Sequence, residues 1–136
     1  MSKKLLLLVI IIFLVALVTW KSVNTLNLHR PIMVENVSYI RLWSVYGVDR
    51  LATEQEVINI VNWFNSAKGI RKNEEFAGTT EYSGIKVVEK NGSKISIGLS
   101  GEDFEVQRKD EQGKLRSYWA RQKEIKDLLD KLATKT

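Results

Sequence analysis

The pattern of hydrophobic and polar positions divides the chain into three stretches. Residues 5–20 are uncharged without a break, dominated by Leu, Ile and Val, and hold neither Gly nor Pro. A helix that is apolar on every side belongs in a bilayer or a translocon rather than in water. Residues 22–33 are polar and irregular, contain the only proline, Pro31, and are expected to form a stalk. From residue 34 the pattern becomes that of a folded domain with both helical and strand periods.

Within that domain, residues 34–45 are rich in β-branched and aromatic side chains, with Val37, Tyr39, Ile40, Leu42, Trp43 and Val45 predicting a strand. Large residues stand at both parities, as in a strand covered on one face and partly sheltered on the other. Thr53 followed by Glu56 is a capping box, in which each side chain satisfies a free backbone N–H at a helix start. Val57, Ile60, Val61 and Phe64 then fall on one helical face, so the spacing predicts a helix over 53–67, stopped by Gly69. Such a stripe is core rather than a ligand site.

Residues 69–82 show no period, and a loop of this length invites a functional explanation. It carries Arg71, Lys72, Phe76 and Tyr82, a mixture of charge and aromatic surface that we take as the candidate partner-binding set. The alternative is that Phe76 merely pins the loop over the sheet. Strands follow around Ile85 and Val87, around Ile95, Ile97 and Leu99, and around Phe104 and Val106, separated by Asn91-Gly92 and Ser100-Gly101 turns. A third turn at Asp110 to Gly113 precedes a short segment through Tyr118-Trp119, and an amphipathic helix over 121–133 closes the chain.

The expected fold is therefore α+β: an N-terminal transmembrane helix, then a two-layer sandwich of a meandering antiparallel sheet of about 4–5 strands with two helices on one face. The expected domains are 1–21 (anchor), 22–33 (stalk) and 34–136 (extracytoplasmic domain).

Charge sets the topology. Lys3 and Lys4 precede the apolar run with no acidic residue beside them, which keeps the N-terminus cytoplasmic and the domain outside. The run is about 24 Å long as a helix, somewhat short of a hydrocarbon core of about 30 Å. Trp20 suits the interface and Lys21 can snorkel outward, while no pair of small residues marks a cleavage site. An uncleaved signal anchor is favoured; secretion after cleavage is the alternative.

Of 21 basic and 16 acidic residues, 19 basic ones lie beyond Lys4, a mild excess without clustering or a nucleic-acid-binding motif. No nucleic-acid partner is expected. An apolar content of 44% excludes wholesale disorder. The absence of cysteine excludes disulfides, thiolate metal sites and a lipid-bearing cysteine, and fits a bacterial envelope. The one histidine, His29, lies in the stalk, and no hydrolase, nucleotide or dinucleotide motif occurs. Glu74-Glu75 and Glu102-Asp103 are acidic doublets in loops, and a carboxylate-dependent hydrolase is the further alternative they allow. No catalytic residue, metal site or cofactor is expected.

The run from Val57 to Asn65, the Ser83-Gly84-Ile85 strand start, the Asn91-Gly92 hairpin, the strand Asp103 to Gln107 and the closing Tyr118-Trp119-Ala120 carry a family likeness. Over residues 34–133 the chain resembles small extracytoplasmic domains of unknown function in Gram-positive spore-forming bacteria, tethered by a lipidated cysteine or a single span. Lacking cysteine, this chain would use the span. The resemblance implies a compartment and a fold but no catalytic residues. The expected function is a non-catalytic binding domain at the envelope, with the bilayer engaged through residues 5–20 and an envelope protein or cell-wall polymer as partner. The alternative is an accessory or inhibitory subunit of a membrane complex.

Overall fold

The computed structural model describes residues 2–73 and 81–134, with the side chains of 21–27 outside that description. Two compact units emerge, Met1–Arg30 and Pro31–Thr136.

The first unit is helix α1, Lys3–Leu28. Its stretch Lys3–Trp20 is long and apolar enough to cross a membrane or to act as a signal sequence. The one hydroxyl near its end, Thr19 Oγ1, donates to the carbonyls of Val15 and Ala16 at 3.0 Å, so it brings no unpaired donor into an apolar medium. The helix continues past Trp20, so residues 22–28, expected to be irregular, are helical. They contain neither Gly nor Pro, and extending a helix already nucleated is far easier than starting one.

The second unit is built on a seven-stranded antiparallel sheet. Its strands are β1 (Val37–Ser44), β2 (Asp49–Leu51), β3 (Lys68–Lys72), β4 (Ser83–Glu89), β5 (Lys94–Ser100), β6 (Asp103–Lys109) and β7 (Leu115–Arg121), in the spatial order β2-β1-β4-β5-β6-β7-β3. The helices are α2 (Glu54–Asn65) and α3 (Lys123–Ala133), and a single 3₁₀ turn, Val34–Asn36, precedes β1. The strand count exceeds expectation chiefly because of β2 and β3. Both are edge strands without a buried residue, so neither shows the alternation that a half-buried strand imprints on sequence. Edge β3 carries Lys68, Arg71 and Lys72, charges that discourage another chain from pairing there.

One face of the sheet is apolar. Leu42, Ile85, Ile97, Val106 and Tyr118 lie in register across five strands, and all are at most 1% exposed. Helix α3 covers this face, touching β1, β4, β5 and β6 through its buried Ile125, Leu129 and Leu132. Ser83 Oγ donates to the Leu129 carbonyl at 2.8 Å within this layer. Burying each such aliphatic side chain stabilises the fold by about 1.5–3 kcal/mol.

Helix α2 starts as the sequence predicts. Thr53 Oγ1 accepts from the Glu56 N–H, the Glu56 carboxylate accepts from the Thr53 N–H, and Arg50 of β2 grips the same carboxylate with two hydrogen bonds. Its nearest neighbours are α3 and the 3₁₀ turn, so the two helices are not equivalent layers on the strands. The helix ends at Asn65, capped by Ser66, and not at Gly69. Gly69 instead lies in β3 with φ +65°, where the register with β7 shifts; it serves a bulge, the other common use of a left-handed glycine. The last helical residue, Asn65, clamps the backbone of Ile32: Oδ1 accepts from its N–H and Nδ2 donates to its carbonyl, both at 2.8 Å. Ile32, expected in the stalk, is 1% exposed and belongs to the core.

Candidate functional site on the sheet face opposite α3

The alternation of β1 places Ile40 and Leu42 under α3 and sends Tyr39, Arg41 and Trp43 to the opposite face. Two rows cross that face in register. The first is Trp43, Gly84, Gly98, Glu105, Trp119 and Arg71; the second is Arg41, Lys86, Ser96, Gln107 and Ser117. It is a polar and aromatic surface with two glycines in its first row.

Those glycines make room for larger neighbours. A β-carbon at Gly84 would lie 2.5 Å from Trp43 Nε1, and one at Gly98 would overlap the Glu81 carboxylate. The Trp43 indole thus rests on the backbone of β4, and Glu81 reaches over β5 beside Glu105, the register partner of Gly98. Burial, followed by the negative charge of Glu105, raises the Glu81 carboxyl above its ordinary range.

Glu105 is 3% exposed. Its Oε1 accepts hydrogen bonds from Ser117 Oγ, from Asn73 Nδ2 at 3.1 Å and from Gln107 Nε2 at 3.3 Å. A carboxylate so enclosed, with three donors on one oxygen, organises its surroundings rather than meeting a substrate. Asp103 plays a similar part at the margin, receiving Arg121 Nε at 2.8 Å and Arg71 Nη2.

At the β1–β2 end the face opens into a groove of about 470 Å³, lined by Arg41, Trp43, Ser44, Val48, Asp49 and Lys86 among others. Arg41 and Asp49 form a two-pronged ion pair, Nε to Oδ1 and Nη2 to Oδ2, each at 2.6 Å. The Arg41 guanidinium beside Asp49 holds that carboxyl below its usual range. Lys86, half-buried between Arg41 and Ser96, has no hydrogen-bond or ion-pair partner among the described residues.

The candidate residues expected from sequence fall in separate places. Arg71, on edge β3, pairs with Asp103 and stands 5.6 Å from the centroid of the Trp119 ring, a cation–π contact. Lys72 follows it on the same edge, exposed. Tyr82 is 54% exposed and precedes β4, whose position four strands from β3 corresponds to about 19 Å. Phe76 and the doublet Glu74-Glu75 lie outside the described residues. The structure therefore does not join Arg71 and Lys72 with Tyr82 in one patch. The groove residues Arg41, Trp43 and Lys86 were not singled out from sequence, although the parity of Tyr39, Arg41 and Trp43 against Ile40 and Leu42 carried the signal.

Among the described residues, no group of three or more His, Cys, Asp or Glu side chains could hold a metal ion. No protein-family model, no curated protein and no solved structure matches this chain.

Proposed function

We propose that this protein is a membrane-tethered binding domain of the cell envelope, without catalytic activity of its own, which holds a wall component or envelope protein against the sheet face opposite α3. The observation that carries the reading is the asymmetry of the sheet. One face is covered by α3 over a mainly apolar layer. The other keeps Arg41, Trp43 and Lys86 at least partly in solvent around an open groove, and Arg71 and Trp119 partly in solvent at the far edge. Aromatic and basic side chains on a rigid sheet make a binding surface at low ordering cost. In this reading the apolar helix anchors the domain, with the N-terminus cytoplasmic and the domain outside, as Lys3 and Lys4 favour.

The test is co-sedimentation of the detergent-solubilised full-length protein with purified cell walls and with envelope membranes. The wild type is expected to pellet with one of them, and Trp43→Ala combined with Lys86→Gln to remain in solution. Equal pelleting of both proteins, or of neither, overturns the reading.

The Glu81–Glu105 pair favours a second reading, a carboxylate-dependent hydrolase, because a raised carboxyl beside a second one is how a general acid is prepared. The enclosure of Glu105 counts against it. Turnover of a wall substrate that vanishes in Glu81→Gln would establish the hydrolase and displace the binding reading.

A further inference from the structure

The groove beside β1 and β2 is unbalanced in its hydrogen-bonding groups. Its one carboxylate, Asp49, has a prong of Arg41 on each oxygen. Arg41 uses Nε and Nη2 for that purpose, which leaves Nη1. Lys86 Nζ and the Trp43 indole N–H have no partner among the described residues. The side-chain surface thus offers donors and positive charge, with its acidic group already engaged. A ligand that satisfies it has to bring acceptors and negative charge.

The apolar side chains of the lining are Trp43 and Val48, one of them aromatic. Trp43 presents its ring to the groove from its seat on Gly84, and Tyr39 stands two residues before Arg41 on the same face, 42% exposed. Flat aromatic rings stack on the C–H faces of sugar rings, which are apolar on the face and rich in acceptors at the rim. The volume of about 470 Å³ falls within the range of small-ligand sites, and the open form suits a unit of a continuing chain rather than an enclosed molecule.

We infer that this groove binds an acidic glycan, one sugar unit stacking near Trp43 while its carboxylate or phosphate group meets Lys86 and Arg41. The inference rests on the binding reading above and names the ligand class for its surface. Charge complementarity selects this occupant: a neutral glycan leaves Lys86 unpaired, and an acidic peptide of the polyglutamate kind brings no ring for the indole to stack on.

The experiment titrates the full-length protein in a neutral detergent with four probes: a hexuronate oligomer, a sugar-phosphate oligomer, the methyl ester of the hexuronate, and polyglutamate. Calorimetry and indole fluorescence provide the readouts. At least one of the two acidic glycans is expected to bind and quench the indole, weakening as salt rises. Lys86→Gln should weaken binding by about tenfold, the loss of one charge-assisted contact. Lys86→Arg should restore most of it, which a merely structural role for Lys86 would not produce. Binding of the ester or of polyglutamate as tight as that of the acidic glycans overturns the inference. So does the same affinity in Lys86→Gln as in wild type. If neither acidic glycan binds while the protein still pellets with walls or membranes through this face, the ligand class is wrong and the binding reading stands; loss of both removes the two together.

Discussion

The Trp43 indole occupies the space left by the missing side chain of Gly84: a β-carbon there would lie 2.5 Å from Nε1, 2.6 Å from Cε2 and 2.8 Å from Cζ2. The two residues are register partners on β1 and β4, so the glycine is required for space and not for a left-handed backbone. A methyl group at position 84 has to push the ring outward into the groove. Gly84→Ala is therefore expected to cost about 1–3 kcal/mol, as overpacking does, and to move Trp43 into water. A urea titration, with Trp20, Trp63 and Trp119 replaced by Phe, should show a lower midpoint and a red-shifted native emission. An unchanged midpoint with unchanged emission would show that the ring does not rest on Gly84.

Much of this arrangement was written in residue parity. Ile40 and Leu42 face α3, whereas Tyr39, Arg41 and Trp43 face away; the sequence predicted large residues on both faces of this strand, as found. The capping box at Thr53, the Asn91-Gly92 hairpin and the closing helix were legible because each depends on contacts within a few residues. Edge strands β2 and β3 were not legible, because unburied strands carry no alternation. The pairing of Glu81 with Glu105 depends on β5 and β6 lying side by side under a residue from before β4, which no local spacing announces.

Asn65 shows the same limit at the start of the domain. On the helix pattern it belongs to the polar side of α2, yet its amide holds both backbone groups of Ile32, 33 residues away. Replacing it by Ala leaves two backbone groups without their partner and is expected to cost about 1–3 kcal/mol. Exchange of the Ile32 amide hydrogen should accelerate by the corresponding factor. Asn65→Asp keeps the acceptor but sets a second oxygen against the Ile32 carbonyl, so it should recover stability only when acid protonates it. Slow exchange at Ile32 in Asn65→Ala would contradict the clamp.

Two carboxyl groups should give the domain opposing pH dependences. Glu56, held by Arg50 and the Thr53 N–H, is lowered to about 2. A lowered folded-state pKa contributes stability that is present above the unfolded value, 4.5 for this group, and is lost as pH falls through the folded one. Glu81 is raised by burial and by Glu105, so its folded state binds the proton more tightly than its unfolded state. That favours folding at low pH, and the contribution disappears as pH rises through the folded value. Glu56→Gln should accordingly lower Tm at pH 7 and converge with the wild type in strong acid. Glu81→Gln should raise Tm at pH 7, with the gain closing below the ordinary glutamate range. A Glu81→Gln protein that melts below the wild type at pH 7 would show that the ionised carboxylate is welcome beside Glu105.

The fate of the N-terminal helix is open to a direct test, because retention and cleavage leave different chains. Residues 5–20 are apolar and Lys3 and Lys4 precede them, which favours an N-terminus inside, while the absence of a pair of small residues at a cleavage position favours retention. Helix α1 continues to Leu28, so cleavage near residues 22–26 would fall inside a helix. Protease added to intact protoplasts is therefore expected to remove a C-terminal tag while mass spectrometry finds Met1 to Trp20 still in the membrane. A protein recovered from the medium and beginning near residues 22–26 would make the helix a cleaved signal. The groove on β1 and β4 would then meet its ligand away from the cell that made it.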